Sequence, residues 1–293
     1  MTRRTSLRTS RRTRERLLAV LFLTPAAVVF VAFAFVPLYR LVRMGLYERN
    51  RFGTAERWVG LEQYRDVLTG HEFRSGLDVT VRFILLTVPI GLVLGVLLAV
   101  AAHRRLRGIK VFQTIFASTV ATSVAVASVV FLVLVNPQIG LFGDVAWLSL
   151  SDPDTALRGV ALSSIWQNLG LTFIIVIAGL QAIPEEIDAA ATLDGYGPTR
   201  RLLRITLPLL SPTLLFLAVV LVIFGFQTFA QVDILTGGGP AGSTETLVYK
   251  IFDSQQPVRQ GTGAVMAIGL FALTFVVSTV QFTLLERRVH YGR

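Results

Sequence analysis

Cysteine is absent from this 293-residue chain, and histidine occurs three times, at His71, His103 and His290. Neither a disulfide framework nor a thiolate metal site is available, and three scattered imidazoles make no ligand cluster. No set of nucleophile, base and metal ligands can be assembled from such a composition, which argues against an enzyme. Charge is scarce too. Asp, Glu, Lys and Arg make up 16% of the residues against 53% hydrophobic, and mean hydropathy is +0.64. A water-exposed surface needs more charge than that, so the bilayer is the main solvent.

What is abundant is long apolar runs. Six stretches meet the requirement of about 20 mostly apolar residues for a spanning helix: Leu17 to Tyr39, Val79 to Ala102, Val111 to Val135, Val160 to Leu180, Leu209 to Gln231, and Ala264 to Leu285. The expected class is an all-α membrane protein with six transmembrane helices. Its parts are a basic tail (1–16) read as disordered, a first helix (17–39), an external loop (40–78), a core of five helices (79–285) and a short tail (286–293). Seven arginines precede the first run, as in a signal peptide. That run is too long, however, and lacks a small-residue cleavage pattern, so it reads as a retained anchor.

The formal charge of +10 raises nucleic acid as a partner until its distribution is examined. With the N-terminus inside the cell, the inner side holds 17 of the 28 basic residues and six of the 18 acids, leaving +11 inside and −1 outside. Arg104, Arg105, Arg107 and Lys110, then Arg200, Arg201 and Arg204, carry this bias between the helices. Positive inner loops facing anionic lipid account for the excess without nucleic acid. An even number of spans places both termini in the cytoplasm.

The segment from Ile183 to Pro208, between the fourth and fifth runs, is polar and patterned. Pro184 suits a first helical position, and Glu185, Glu186 and Asp188 put negative charge on the positive end of a helix dipole. Gly195 stops that helix, and Gly197 and Pro198 turn the chain. Arg200, Arg201 and Arg204 then share one turn with Leu203 and Ile205 until Pro208 closes the segment. The expectation is a helix, turn, helix bracket on the membrane surface; an ordinary amphipathic loop lying on lipid is the alternative.

Residue by residue this segment resembles the membrane subunits of binding-protein-dependent ABC importers. Their cytoplasmic loop reads EAA, three residues, Gly, nine residues, Ile, one residue, Leu-Pro. Here Ala190, Ala191, Gly195, Ile205, Leu207 and Pro208 fall at matching positions. One position departs: Ala189 stands where the family has Glu, with Asp188 one residue earlier, so a carboxylate contact to the ATPase is relocated or missing. Asp194 completes the set of expected coupling residues. The run Leu235-Thr-Gly-Gly-Gly-Pro240, followed by Thr244 to Val248, resembles the carbohydrate branch related to maltose, multiple-sugar and glycerol-3-phosphate importers. Trp166 to Gly170, Gly179 to Pro184 and the ending Arg287 to Tyr291 add to the likeness. A phosphate-cradling loop is excluded at Gly237 to Gly239, because no Gly-Lys-Ser/Thr follows.

The resemblance implies the type I ABC importer permease fold, with a cytoplasmic coupling helix and no catalytic residues or cofactor on this chain. It further implies a second permease subunit as heterodimer partner and an ATPase dimer that uses ATP and Mg. An external solute-binding protein would deliver a sugar or polyol, in a bacterial or archaeal cell membrane. Gly237, Gly238, Gly239 and Pro240 are candidates for binding-protein contact, with a flexible turn of no contact role as the alternative.

Polar groups at bilayer depth need partners, which makes Gln167, Asn168, Gln227 and Gln231 candidates for the solute pathway. Gln227 and Gln231 are expected one turn apart on one helix face, with Phe224 beside them as an aromatic plate. Hydrogen bonds that merely hold the bundle together are the competing explanation. No span centre carries an acid or base, which disfavours the alternative of an ion-coupled secondary transporter; Asp233 comes nearest.

Overall fold

In hydrocarbon no water is present to satisfy backbone groups, so these apolar runs close their hydrogen bonds internally as helices. The computed structural model describes residues 3–50, 52, 55–103 and 107–286. Arg104, Arg105, the ending Arg287 to Arg293, and the side chains of Arg3 to Arg14, Arg16 and Asp188 lie outside what is described. Among the described residues four helical spans are long and apolar enough to cross a membrane: Leu17–Gly45, His71–Ala102, Ala156–Gln181 and Pro257–Leu284. Two bent pairs, Ile109–Ala121 with Val124–Leu134 and Pro198–Leu209 with Ser211–Phe226, bring the count to six.

The first span comprises α1 (Arg3–Phe30), a π-helical turn (Val31–Phe35) and α2 (Val36–Gly45). Helix therefore begins at Arg3, where the sequence suggested a disordered tail, and ends beyond Tyr39. Along its hydrophobic stretch nothing is buried. The last turn of α2 makes the closest approach to the bundle: a Cβ on Gly45 would lie 2.7 Å from the Tyr64 hydroxyl and 2.9 Å from Val265.

The expected external loop is largely ordered. A hairpin, β1 (Tyr47–Arg49) and β2 (Glu56–Trp58), pairs Tyr47 with Trp58, and α3 (Glu62–Thr69) follows. Next, α4 (His71–Ala102) starts eight residues before Val79. The early turns alternate charge with packing residues: Phe73 and Gly76 are buried while Glu72 and Arg74 face outward. Mean hydropathy hides that amphipathic start.

The third span is broken. α5 (Ile109–Ala117) continues as a 3₁₀ turn (Ser118–Ala121), then the chain bends by 106° into α6 (Val124–Leu134), whose first turn is capped by the Ser123 hydroxyl accepting from Val126 N. A Cβ on Gly170, midway along α7 (Ala156–Gln181), would meet Thr119 Oγ1 at 2.1 Å, so the break sits at the middle of the fourth span. Next come α8 (Glu185–Leu193), α9 (Pro198–Arg201), a second π turn (Leu202–Thr206) and α10 (Leu207–Leu209). Both π turns precede a proline, Pro37 or Pro208, whose ring cannot donate and crowds the carbonyl four residues back. Contrary to expectation Pro208 does not close the segment; the 69° bend falls at the buried Leu210.

α11 (Ser211–Phe226) ends five residues short of the sequence expectation. It is followed by α12 (Ala230–Thr236), α13 (Leu247–Asp253) and α14 (Gln260–Glu286). One buried cluster, with Ala99, Ala102, Leu180 and Leu210, packs the end of the bundle nearest α8; another, with Phe73, Leu247 and Met266, packs the opposite end.

Candidate functional site

The bracket has the expected shape. Pro184 is the residue before α8 rather than its first, with extended backbone, and its carbonyl accepts from Ile187 N. At the other end Gly195 adopts φ +74, while Gly195 N donates to Thr192 O and Tyr196 N to Ala191 O. This pair of bonds is a Schellman stop, which needs a left-handed residue and so suits glycine. The turn brings the second half of the bracket back on the first: Arg201 donates to Thr192 Oγ1 at 3.3 Å, and the Arg200 guanidinium lies 4.8 Å above the Tyr196 ring.

Among the α8 coupling candidates whose side chains are described, only Ala191 is buried, 3% exposed. Glu185, Glu186, Ala189, Ala190 and Asp194 are exposed, and Ile205, Leu207 and Pro208 are half-buried where the bracket joins the bundle. Leu193 was not singled out from the sequence, yet it is 89% exposed beside two small alanines. A large apolar side chain standing clear of its own subunit, on a face with no bulk around it, is suited to a partner's groove. Its signal in the sequence was an apolar residue just before the Gly195 stop.

The polar residues at depth separate into two groups. Gln231 is buried and donates from Nε2 to Gln167 Oε1 at 3.1 Å, tying α12 to α7. Asn168 donates to the Ser164 carbonyl at 2.9 Å within its own helix. Gln227 and Gln231 do not share a helix face: α11 stops at Phe226, and Gln227 is its exposed cap beside the exposed Phe224. The break is held by Thr228 Oγ1 donating to Phe224 O at 3.1 Å and Thr246 Oγ1 donating to Thr228 O at 3.0 Å. Thr80 Oγ1 accepts from Leu247 N at 2.9 Å, so α4 and α13 are clipped to the same break. These buried threonines were not identified from the sequence, because a lone hydroxyl in a helix most often bonds its own carbonyls. The crevice beside Asn168, lined by Thr87, Gly91, Ser164 and Gly225, holds about 10 Å³, no more than a water.

The glycine run is clamped rather than loose. Gly237 ends α12 at φ +56, Thr236 and Thr244 share a hydroxyl bond of 2.7 Å, and Thr244 Oγ1 donates to Gly239 O at 2.9 Å. The Tyr249 hydroxyl donates to Gly237 O at 2.7 Å, and Lys250 pairs with Glu245. Burial first, then the carboxylates of Asp233, Asp253 and Glu245, pushes the Tyr249 phenol above its ordinary pKa. Of the four contact candidates Gly237 is exposed, Gly239 and Pro240 are half-buried, and Gly238 is buried, with room for no Cβ because Tyr249 would lie 2.6 Å away. Gly238 therefore serves packing.

Residues 91–291 match the family described as "Binding-protein-dependent transport system inner membrane component". The chain is similar to the sn-glycerol-3-phosphate transport system permease protein UgpA of Agrobacterium fabrum (strain C58 / ATCC 33970), at 34% identity over 95% of this chain and 98% of that one. The UgpA of Yersinia pestis is 30% identical over 94% of this chain and 96% of its own. Among solved structures, one of a bacterial ABC transporter importing the acidic polysaccharide alginate has a chain that superposes with a TM-score of 0.78. That likeness covers 96% of this chain and 99% of the other at 19% identity. A second, of the bacterial alginate ABC transporter in complex with an alginate pentasaccharide-bound periplasmic protein, gives 0.79 over 96% and 98%, also at 19% identity.

Proposed function

Because this chain belongs to the family of binding-protein-dependent transport system inner membrane components, we propose that it conducts a sugar, polyol or polyol phosphate across the membrane. It is a permease subunit of an ABC importer, a transport component and not an enzyme. The relatives named for glycerol-3-phosphate support the solute class, and nothing in these likenesses favours the ion-coupled alternative.

The observation that carries the mechanism is the exposed face of α8, Glu186, Ala189, Ala190 and Leu193, at the end of the bundle packed by Ala102, Leu180 and Leu210. We assign this face to docking on an ATPase dimer, which binds ATP and Mg, and its end of the bundle to the cytoplasm together with both termini. ATP-driven closure of that dimer pushes α8; the bracket and the buried corner at Leu210 pass the push to α11. The glycine loop at the opposite end, clamped by Tyr249, presents Gly237, Gly239 and Pro240 to the solute-binding protein. Since the crevice beside Asn168 is water-sized, the solute moves along a surface that this chain shares with a second permease subunit. Phe224 and Gln227 line it, whereas Gln167 and Gln231 satisfy each other.

Reconstitution with the partner subunits, ATPase and binding protein tests this reading. Leu193→Asp on the docking face is expected to abolish solute-stimulated ATP hydrolysis and uptake while the chain still inserts and folds. Unimpaired uptake by that variant would remove α8 from the mechanism.

A further inference from the structure

At the end of the bundle away from the bracket, the last turns of α2, the hairpin and the start of α14 enclose a cavity of about 260 Å³. Its walls are Arg40, Arg43, Met44, Tyr47, Arg49, Glu56, Gln260 and Gly261. Three arginines face one carboxylate, and that carboxylate is already taken: Arg49 binds Glu56 at 2.7 Å and donates to Gln260 Oε1 at 2.7 Å. Arg40 and Arg43, three residues apart on one face of α2, have no carboxylate partner among the described residues; Arg43 lies 5.6 Å over the Tyr47 ring. The cavity thus keeps two guanidinium groups whose donors are free to meet an anion.

The depth of the cavity says which anion. From Leu17 to Arg40 is 23 residues of helix, about 35 Å at 1.5 Å per residue, so Arg40 stands at the far edge of a hydrocarbon core about 30 Å thick. Tyr39 is 69% exposed and Trp58 60%, as in the aromatic belt that marks headgroup level. Below the cavity the first span is unburied and apolar, Phe33 and Val36 included, so acyl chains can lie along it. Planar guanidinium groups hold phosphate oxygens in pairs, and basic pockets beside transmembrane helices take lipid headgroups. A space just under the roughly 300–1,000 Å³ of ordinary ligand pockets fits a headgroup rather than an oligosaccharide.

We propose that Arg40 and Arg43 form a binding site for a phosphate anion, supplied by the headgroup of an anionic phospholipid such as phosphatidylglycerol. The site needs the chain only to be in a membrane; it does not depend on the transport reading.

Native mass spectrometry of the purified full-length chain, with whatever subunits accompany it, tests the site against added phosphatidylglycerol, phosphatidylcholine and inorganic phosphate. Each basic residue near an anionic surface contributes about fivefold, so Arg40→Gln/Arg43→Gln is expected to weaken phosphatidylglycerol retention about 25-fold. The Arg40→Lys/Arg43→Lys variant keeps the charge but loses the planar fork, and its retention is expected to fall between wild type and the Gln variant. Wild type should prefer phosphatidylglycerol to phosphatidylcholine about tenfold, a comparison that stands even where the Gln variant is unstable. Equal retention of the two lipids by wild type, or undiminished phosphatidylglycerol binding by a folded Gln variant, overturns the proposal. Thermal stabilisation of wild type by inorganic phosphate but not by phosphatidylglycerol overturns the lipid assignment and gives the site to a soluble phosphate.

Discussion

The bond between Gln231 and Gln167 makes a decisive test, because it separates bundle assembly from solute contact. Gln231 is 7% exposed and its Nε2 donates to Gln167 Oε1 at 3.1 Å. Side-chain hydrogen bonds between membrane helices contribute about 0.6 kcal/mol on average and up to about 1.7. Stranding one buried amide without the other costs more, about 1–3 kcal/mol, whereas replacing both by apolar groups of similar shape is close to neutral. Gln231→Leu and Gln167→Leu are each expected to destabilise by about 1–2 kcal/mol, and the double variant by less than their sum, with a coupling of about 1 kcal/mol or more. Unfolding in mixed micelles completes the cycle, and uptake by the double variant is measured beside it. Additive single effects, within about 0.3 kcal/mol, would refute the bond. A double variant that regains stability yet loses uptake tenfold or more, about 1.4 kcal/mol, would transfer the pair to solute contact.

Other outcomes follow from the geometry. Gly195→Val places a β-branched residue at φ +74 and should cost about 1–2 kcal/mol locally, read as loss of solute-stimulated ATP hydrolysis in assembled complexes with insertion unchanged. Gly170→Ala drives a Cβ to 2.1 Å from Thr119 Oγ1 and 2.8 Å from the Phe116 carbonyl. Overpacking of about 1–3 kcal/mol is expected, seen as a lower melting temperature. Tyr249→Phe removes the bond to Gly237 O and should loosen the glycine loop by about 1 kcal/mol, visible in amide hydrogen exchange. The Tyr249 phenol has a raised pKa, so the folded loop holds its proton more tightly than the unfolded chain. Its stabilisation is complete below the ordinary tyrosine pKa and is lost as pH rises through the folded value. Loop protection should therefore fall only in that alkaline window, and the Phe variant should show no such step.

Hydropathy revealed the spans because each needs about 20 apolar residues, a count no local detail disturbs. It missed the interruptions. The Thr122–Ser123 break lies in a run whose hydroxyls could equally bond their own helix, and only the structure shows Ser123 capping α6. Gln227 and Gln231 looked adjacent on one helix because no glycine or proline stands between Phe226 and Gln231 to mark a break; Thr228 and Thr246, 18 residues apart, close the break instead. The beginning of α4 was hidden because Phe73 and Gly76 are buried among charged neighbours. The α8 bracket was legible because Gly195 and Pro198 act through their own backbone geometry, independent of distant contacts. Leu193 was not, since exposure is decided by everything that fails to pack on it.

The buried corner at Leu210 has a mechanical consequence. Leu210 is 1% exposed and sits over Gly179, where a Cβ would meet it at 2.9 Å, so the 69° elbow turns on a seated pivot. The arms differ: at 1.5 Å per residue the segment Pro198–Leu209 is about 18 Å long and α11 about 24 Å. On the coupling proposed for the bracket the pair works as a bell crank with the longer arm on the spanning side, and a 10° swing would carry the far end of α11 about 4 Å, roughly a third more than the motion put in.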